Sequence, residues 1–150
     1  MSARGSSLFS QNARINIYTR ARLNESAQRR AHMREDEDVI RVYMDGCFDL
    51  MHFGHANALR QARAIASQIN DEKKCELIVG LVSDEEILRC KGPPVLPEAE
   101  RVKCVKAVKW VDDVITNVPY ELLPEFVEEL FSGASLIVVY SLFLSIYIYV

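Results

Sequence analysis

The sequence predicts an α/β protein with a parallel sheet and flanking helices. Apolar runs of strand length alternate with segments of helical spacing, an order typical of parallel sheets with crossover helices. One of the apolar runs is continuous, as expected for a strand covered on both faces. The 150 residues are 49% hydrophobic and 26% charged, which suffices for one modest core.

The first two elements follow from residue type and spacing. Val39 to Met44 is a β-branched run that predicts a buried strand, and a turn-like Asp45-Gly46 follows it. From Gly54 to Ile69, apolar residues recur every three or four positions, which predicts a helix. Asn70 and the aspartate after it are expected to end that helix.

The alternation continues beyond this helix. Leu77 to Val82 is the continuous apolar run, and Ser83 can cap a short helix with an acidic first turn. A Gly/Pro loop reaches Pro97, which suits the first turn of the next helix. A strand at Val114–Thr116 and a helix at Leu122–Leu130 complete a Rossmann-like order, in which ligands bind at the carboxyl ends of the strands.

Charge and cysteine content exclude several functions. The net charge of −3 and the pI near 5.6 argue against a nucleic-acid-binding protein. The four cysteines show no CxxC spacing, which excludes a disulfide framework and a zinc ribbon. Reduced thiols in a cytoplasmic protein are the expectation.

Residues 1–38 differ from the rest of the chain in composition. They are rich in polar residues and arginine and poor in large apolar side chains, which predicts a disordered leader. The acid-free first part faintly resembles a mitochondrial presequence, and a plain solvated tail is the alternative. The leader has no apolar run of the kind a secretory signal needs.

The apolar segment 132–150 is uncharged and leaves three alternatives open. Residues 135–140 fit a fourth buried strand that continues the alternation. The whole segment is only just long enough for a membrane anchor and lacks basic flanks. It also fits an aberrant end that is foreign to the domain. A membrane anchor would bring the protein to a membrane surface.

The residues that can carry chemistry lie between Asp45 and His55, where the first strand meets the first helix. His52 and His55 are three positions apart and project from one side of a helical turn. Gly54 lets a ligand approach the backbone, and the helix N-terminus adds N–H groups and a positive dipole end. Together they predict an anion site suited to a triphosphate. A plain helix cap and a zinc site, for which no third ligand is evident, are the alternatives.

This segment resembles the His-x-Gly-His signature of the cytidylyltransferase-like nucleotidyltransferases. Longer strings are similar to the ethanolamine-phosphate cytidylyltransferase family, and the resemblance spans residues 40–130. The related choline-phosphate enzymes share the first block but usually not Lys-Gly-Pro-Pro-Val. The matching strings are Met44–His52, His55–Ala62, Leu81–Ile87, Lys91–Val95 and Lys109–Val114.

The resemblance implies transfer of a cytidylyl group from CTP to phosphoethanolamine, with release of pyrophosphate, in phospholipid biosynthesis. His52, His55 and Lys91 would be catalytic and would stabilise charge on the phosphates. Mg²⁺ would arrive with CTP, and no dedicated protein ligand set is visible for it. The expected nucleotide-binding residues are Cys47, Phe48, Asp49, Gly54, Arg101 and Trp110.

Several of these residues also have a simpler interpretation. Arg101 would contact the triphosphate or else be a surface arginine of its helix. For Trp110 a core position is favoured over base stacking. Asp49 would hold its own loop through backbone hydrogen bonds. Asp84, near a strand end, is a further candidate for ligand contact.

The resemblance stops near Phe131. The family's next strand turn and its later phosphate-binding motif have no counterpart. We therefore expect a truncated domain over 39–131, a sheet that is incomplete at the C-terminus, and little or no transferase activity. Choline-phosphate transfer is one alternative function. A non-catalytic fragment held to a membrane or a partner by residues 132–150 is the other, and the resemblance is compatible with a homodimer.

Overall fold

The computed structural model describes residues 39–122, 126–128, 136–140 and 145–149. The predicted leader and most of the helix expected at 122–130 lie outside these residues. The described strands are β1 (Val39–Gly46), β2 (Lys74–Val82), β3 (Asp113–Val118), β4 (Leu136–Tyr140) and β5 (Ser145–Tyr149). The helices are α1 (Phe53–Ile69), α2 (Asp84–Cys90) and α3 (Glu98–Lys106), and residues 126–128 are also helical.

The strands form one sheet in the order β3-β2-β1-β4-β5. β1 pairs in parallel with β2 and β4, β2 pairs in parallel with β3, and β5 returns antiparallel to β4. The predicted α/β class is therefore confirmed. Gly46 pairs with Leu81, so β1 and β2 end at one edge of the sheet, which we call the carboxyl edge.

Helices cover both faces of the sheet. On one face, alternate side chains of β1 and β2 pack against α1 and α3. The opposite face carries Val82, Ile87 and Val118, with Tyr120 and Phe126 packed against them. Full burial of one such aliphatic side chain contributes about 1.5–3 kcal/mol. The buried cluster on the first face includes Val42, Met44, Leu59, Ala62, Leu77, Val79 and Val105.

Several predicted boundaries hold, but β2 begins earlier than predicted, at Lys74, and β3 is longer, at Asp113–Val118. Ser83 caps α2 by accepting a hydrogen bond from the Glu86 N–H, Pro97 is the N-cap of α3, and Asn70 ends α1. The predicted turn at Asp45-Gly46 is wrong. These two residues stay in β1 because they pair with Gly80 and Leu81 of the neighbouring strand.

The apolar segment contributes two strands. β4 pairs with Arg41–Met44 of β1, which confirms the first of the three alternatives, a fourth strand over 135–140. β5, at Ser145–Tyr149, extends the sheet by one strand that no sequence pattern predicted. The boundary at residue 131 and membrane attachment stay predictions. Within the described ranges, no helix has both the length and the apolarity needed to cross a bilayer.

Candidate active site

The turn between β1 and α1 has an uncommon backbone. Phe48 and Leu50 adopt positive φ angles of 50° and 45°, a region that residues other than glycine seldom occupy. The Phe48 ring is buried and packs over Gly46, where an added Cβ would lie 3.1 Å from it. The buried ring anchors the turn, and the turn then carries the two histidines out of the core.

His52 and His55 cap the N-terminus of α1 together. His52 Nδ1 accepts a hydrogen bond from the Gly54 N–H at 3.0 Å, and His55 Nδ1 accepts one from the His52 N–H at 3.4 Å. The ring centroids are 4.2 Å apart. Because each Nδ1 is an acceptor, each neutral ring is assigned its proton on Nε2. The cap interpretation is therefore correct, and the same cap leaves two Nε2–H donors for a ligand.

Gly54 is needed by the histidine itself. A Cβ at this position would lie 2.7 Å from Cε1 and 3.0 Å from Nδ1 of His52. Any side chain at position 54 would push the His52 imidazole away from the Gly54 N–H, which donates a hydrogen bond to it. The close approach of a ligand to the Gly54 backbone stays a prediction.

The surroundings of His55 favour its neutral form. Partial burial lowers its pKa, the neighbouring His52 lowers it further, and Asp49 opposes the shift. A bound phosphate would favour the imidazolium and raise that pKa again. His55 can therefore gain positive charge when an anion arrives.

Lys91 lies at the end of α2 and is exposed. Its backbone N–H donates to the Ile87 carbonyl oxygen at 2.8 Å, and its ammonium lies 5.5 Å from the centre of the Tyr120 ring. A hydrogen bond with Tyr120 raises the pKa of Lys91. Lys91 also acts electrostatically on Cys47, a residue of the turn that carries the histidines.

Asp49 joins this turn to the segment after Lys91. Its carboxylate accepts hydrogen bonds from the N–H groups of Val95, Leu96 and Leu50 at 2.7, 2.9 and 3.0 Å. These bonds, that of Val95 first, lower the pKa of Asp49. The predicted role of Asp49 in holding its loop is confirmed, and the bonds also reach a second loop.

Arg101 is fully buried, so the alternative of a surface arginine is wrong. It donates to the carbonyl oxygens of Leu96, Cys47 and Val82 at 3.2, 2.5 and 2.9 Å, and to Asp84 at 2.6 Å. All three guanidinium nitrogens thus have protein acceptors, and contact with a triphosphate stays a prediction. The other Asp84 oxygen accepts the first N–H of α3 at 3.0 Å, so both carboxylate oxygens have protein donors, and contact of Asp84 with a ligand stays a prediction.

Trp110 lies apart from the other predicted site residues. It packs against the core cluster beside α1, which confirms the core interpretation, and its carbonyl oxygen accepts from Arg63 at 2.7 Å. Arg63 also donates to the Cys75 carbonyl oxygen, near the amino-terminal end of β2. This position is away from the carboxyl edge, so the geometry does not support the expected nucleotide contact of Trp110.

Asp45 and Tyr120 lie next to predicted site residues, Asp45 two positions before Cys47 and Tyr120 beside Lys91, although neither was predicted to bind a ligand. Asp45 lies one residue before the end of β1 with a buried side chain, and burial raises its pKa to about 6. It acts electrostatically on Cys47, as Lys91 does. Its place at the end of a buried strand was a usable signal, whereas the place of Tyr120 depends on the path of the chain after β3.

The described part of the chain contains no group of three or more His, Cys, Asp or Glu side chains placed to hold a metal ion. Mg²⁺ prefers oxygen ligands, keeps several waters and is often bound through substrate phosphates. Delivery of Mg²⁺ with CTP therefore stays a prediction, with phosphate oxygens as its main ligands.

Comparison with known proteins identifies the family of this chain. Residues 43–145 match the model of the cytidylyltransferase-like family. The chain belongs to this family. The matched range contains the histidine pair, Lys91, Arg101 and the strands β2 to β4.

Individual relatives cover a limited part of their own length. The ethanolamine-phosphate cytidylyltransferase of Arabidopsis thaliana is 59% identical over 92 residues, which are 61% of this chain and 20% of that protein. The enzyme of the same name from Dictyostelium discoideum is 55% identical over 91 residues, 61% of this chain and 23% of that protein. A probable choline-phosphate cytidylyltransferase of Schizosaccharomyces pombe is 42% identical over 90 residues, 60% of this chain and 23% of that protein. The chain thus spans about a fifth of the length of the curated relatives it matches.

One solved structure is also similar. The lipopolysaccharide core biosynthesis protein from Thermoplasma volcanium GSS1 aligns with a TM-score of 0.48 and 26% sequence identity. The alignment covers 61% of this chain and 67% of that chain.

Proposed function

We propose that this site binds the triphosphate of CTP and transfers its cytidylyl group to phosphoethanolamine. The observation that carries the proposal is the histidine pair, whose rings are 4.2 Å apart at the N-terminus of α1 and present Nε2–H donors. Similarity to two ethanolamine-phosphate cytidylyltransferases, at 59% and 55% identity, supports the choice of substrates.

In the proposed reaction a phosphate oxygen of phosphoethanolamine attacks the α-phosphorus of CTP in line. The new P–O bond forms as the bond to the bridging oxygen breaks, and pyrophosphate leaves with that electron pair. His52 and His55 would donate to the phosphate oxygens, and Lys91 would neutralise the α-phosphate and the incoming phosphate. Since no covalent enzyme intermediate is needed, positioning and electrostatic stabilisation supply most of the catalysis.

Asp45 is our candidate partner for the amine of phosphoethanolamine. Among the described residues, Asp45 is the carboxylic acid whose side chain is buried. Its raised pKa of about 6 reflects the cost of burying the charged form. A bound ammonium group would stabilise the carboxylate and lower that pKa. In this proposal the amine lies at Asp45 and the phosphate at Lys91, and both residues act electrostatically on Cys47.

Phosphocholine is the second candidate acceptor. The relative from Schizosaccharomyces pombe, named as a probable choline-phosphate enzyme, favours it at 42% identity. The two acceptors differ in the N–H donors of the amine, because the trimethylated ammonium of choline has none. Competition between the two phosphorylated alcohols in one assay distinguishes them.

Calorimetric titration of the full chain with CTP and Mg²⁺, together with a pyrophosphate-release assay, tests the proposal. His52→Ala should weaken CTP binding. Because we expect the turnover of this chain to be low, CTP binding is the main readout, and His52→Ala should lower the turnover that remains by about 10²–10³ because it removes one donor to the transition state. Lys103→Ala, at an exposed position of α3, is the matched control and should change neither. Equal binding of ATP and CTP, or full turnover in His52→Ala, would contradict the proposal.

A further inference from the structure

We infer that Asp49 and Arg101 form one positioning unit that couples the histidine turn (residues 47–52) to the lysine loop (residues 91–97). Leu96 is the point at which the unit joins them. The inference rests on the proposed function, because it gives the unit the task of holding the histidines and Lys91 against the same triphosphate.

Leu96 is held through both of its backbone polar groups. Its N–H donates to Asp49 at 2.9 Å, and its carbonyl oxygen accepts from Arg101 Nε at 3.2 Å. Asp49 lies in the histidine turn, and Arg101 also donates to the Cys47 carbonyl oxygen of that turn at 2.5 Å. The turn and the loop therefore share one hydrogen-bond network, and neither can shift without stretching bonds of the other.

The network also holds a backbone that the turn would not keep by itself. Phe48 and Leu50, on either side of Asp49, have positive φ angles. Such residues persist only where the surrounding structure over-determines them. Hydrogen bonds to charged groups are the stronger class, and here both the carboxylate and the guanidinium supply them. The unit thus supports the strained turn that presents the histidines.

The placement of charge fits positioning better than direct binding. A carboxylate at Asp49 would repel a triphosphate if it faced the triphosphate directly. Its negative charge is instead taken up by three N–H donors and by the field of Arg101. Arg101, with no exposed surface, has its guanidinium nitrogens committed to protein acceptors. Lys91 and the histidines remain as the groups that can reach phosphate.

A double-mutant cycle on the full chain tests whether Asp49 acts through the lysine loop, with CTP and Mg²⁺ as the probe. Asp49→Asn keeps the size but removes the charge and one acceptor, and Lys91→Ala removes the ammonium. We expect each substitution to weaken CTP binding about tenfold. The double variant should lose much less than the hundredfold product of the two effects, since the effects of coupled residues are not additive. Lys103→Ala combined with Lys91→Ala should be additive. A full product for Asp49→Asn with Lys91→Ala would overturn the inference.

Amide hydrogen exchange measured by NMR gives a second readout that does not depend on CTP. Asp49→Asn and Arg101→Lys should each speed the exchange of the Leu96 N–H by about tenfold or more, while the Val79 N–H in β2 stays protected. In Arg101→Lys the Val95 N–H, which bonds only to Asp49, should also exchange faster if the network is shared. Unchanged Leu96 and Val95 exchange in both variants would overturn the inference.

The two readouts separate this inference from the proposed function. His52→Ala should lose CTP affinity and keep normal exchange at Leu96, because His52 is outside the network. If CTP binds neither the wild-type chain nor any variant, the proposed function fails. The exchange rates then still decide whether the turn and the loop are coupled.

Discussion

Two arginine–aspartate pairs connect segments of this fold, one at each end of the strands, and they differ in burial. We call each pair, with the carbonyl oxygens that its arginine contacts, a junction. At the carboxyl edge, Arg101 is fully buried, pairs with Asp84 and reaches three backbone carbonyl oxygens. Nearer the amino-terminal end of β2, Arg63 pairs with Asp112 and reaches two. The side chains of this second pair are 32% and 38% exposed.

The difference in burial shows which end of the sheet has the more tightly fixed backbone. The described residues with positive φ cluster at the carboxyl edge; they are Phe48, Leu50, Gly92 and Asn117. The Arg63 junction closes α1 onto the segment before β3 and supports ordinary backbone. The Arg101 junction holds two loops with exposed catalytic candidates, and one of them contains the strained residues Phe48 and Leu50. Strain therefore collects where a ligand is expected, and a buried charge network holds it in place.

Removing each arginine should produce the largest and most unequal effects. Arg101→Ala deletes a buried cation and leaves carbonyl oxygens and Asp84 without their donor, so the free energy of unfolding should fall by about 3–5 kcal/mol. Arg63→Ala breaks a half-exposed pair and should cost about 1 kcal/mol. Urea unfolding at pH 7 measures both, with Arg101→Lys as an intermediate variant. Equal losses in the two alanine variants would remove the contrast between the junctions.

The pH dependence of stability should reveal Asp45. Its pKa is 3.8 when unfolded and about 6 when folded, so the folded state binds the proton more tightly. The contribution of Asp45 to stability should be greatest below about pH 4 and should fall by about 3 kcal/mol as the pH rises through 6, at roughly 1.36 kcal/mol per pKa unit.

Asp45→Asn tests this assignment, because the amide cannot titrate. Urea unfolding between pH 4 and 7 should show a flatter profile and higher stability at neutral pH. The same variant should use phosphoethanolamine poorly under the proposed function. A slope that survives unchanged in Asp45→Asn would mean that another group is responsible.

Gly54→Ala should have the smallest effect on stability and still disturb the site. Alanine is favoured over glycine in helices by about 1 kcal/mol, but its Cβ would lie 2.7 Å from Cε1 of His52. We expect a stability change within about 1 kcal/mol and CTP binding about tenfold weaker, measured by urea unfolding and calorimetry. Ser67→Ala, at an exposed position far along α1, should leave CTP binding unchanged. Normal CTP binding in Gly54→Ala would show that the orientation of the His52 ring is unimportant.

Local sequence signals were sufficient where the cause of structure is local. Ser83 begins α2 and Asn70 ends α1 as predicted, because capping depends on a few adjacent residues. The Asp45-Gly46 turn was wrong because pairing with β2 overrode local turn preference. β5 had no usable signal, since its pairing partner β4 was itself one of three alternatives.

The sequence alone determined the order of β1 to β3 and α1 to α3 and placed two imidazoles at the start of α1, because apolar periodicity and three-residue spacing act within one element. It could not assign tasks to the two cations of the site. Tertiary packing decided that Lys91 is exposed and that Arg101 is buried, and it brought Asp49 to Leu96 across 47 positions of the chain. Burial and long-range hydrogen bonds depend on how distant segments meet, and that information is not written at any single position.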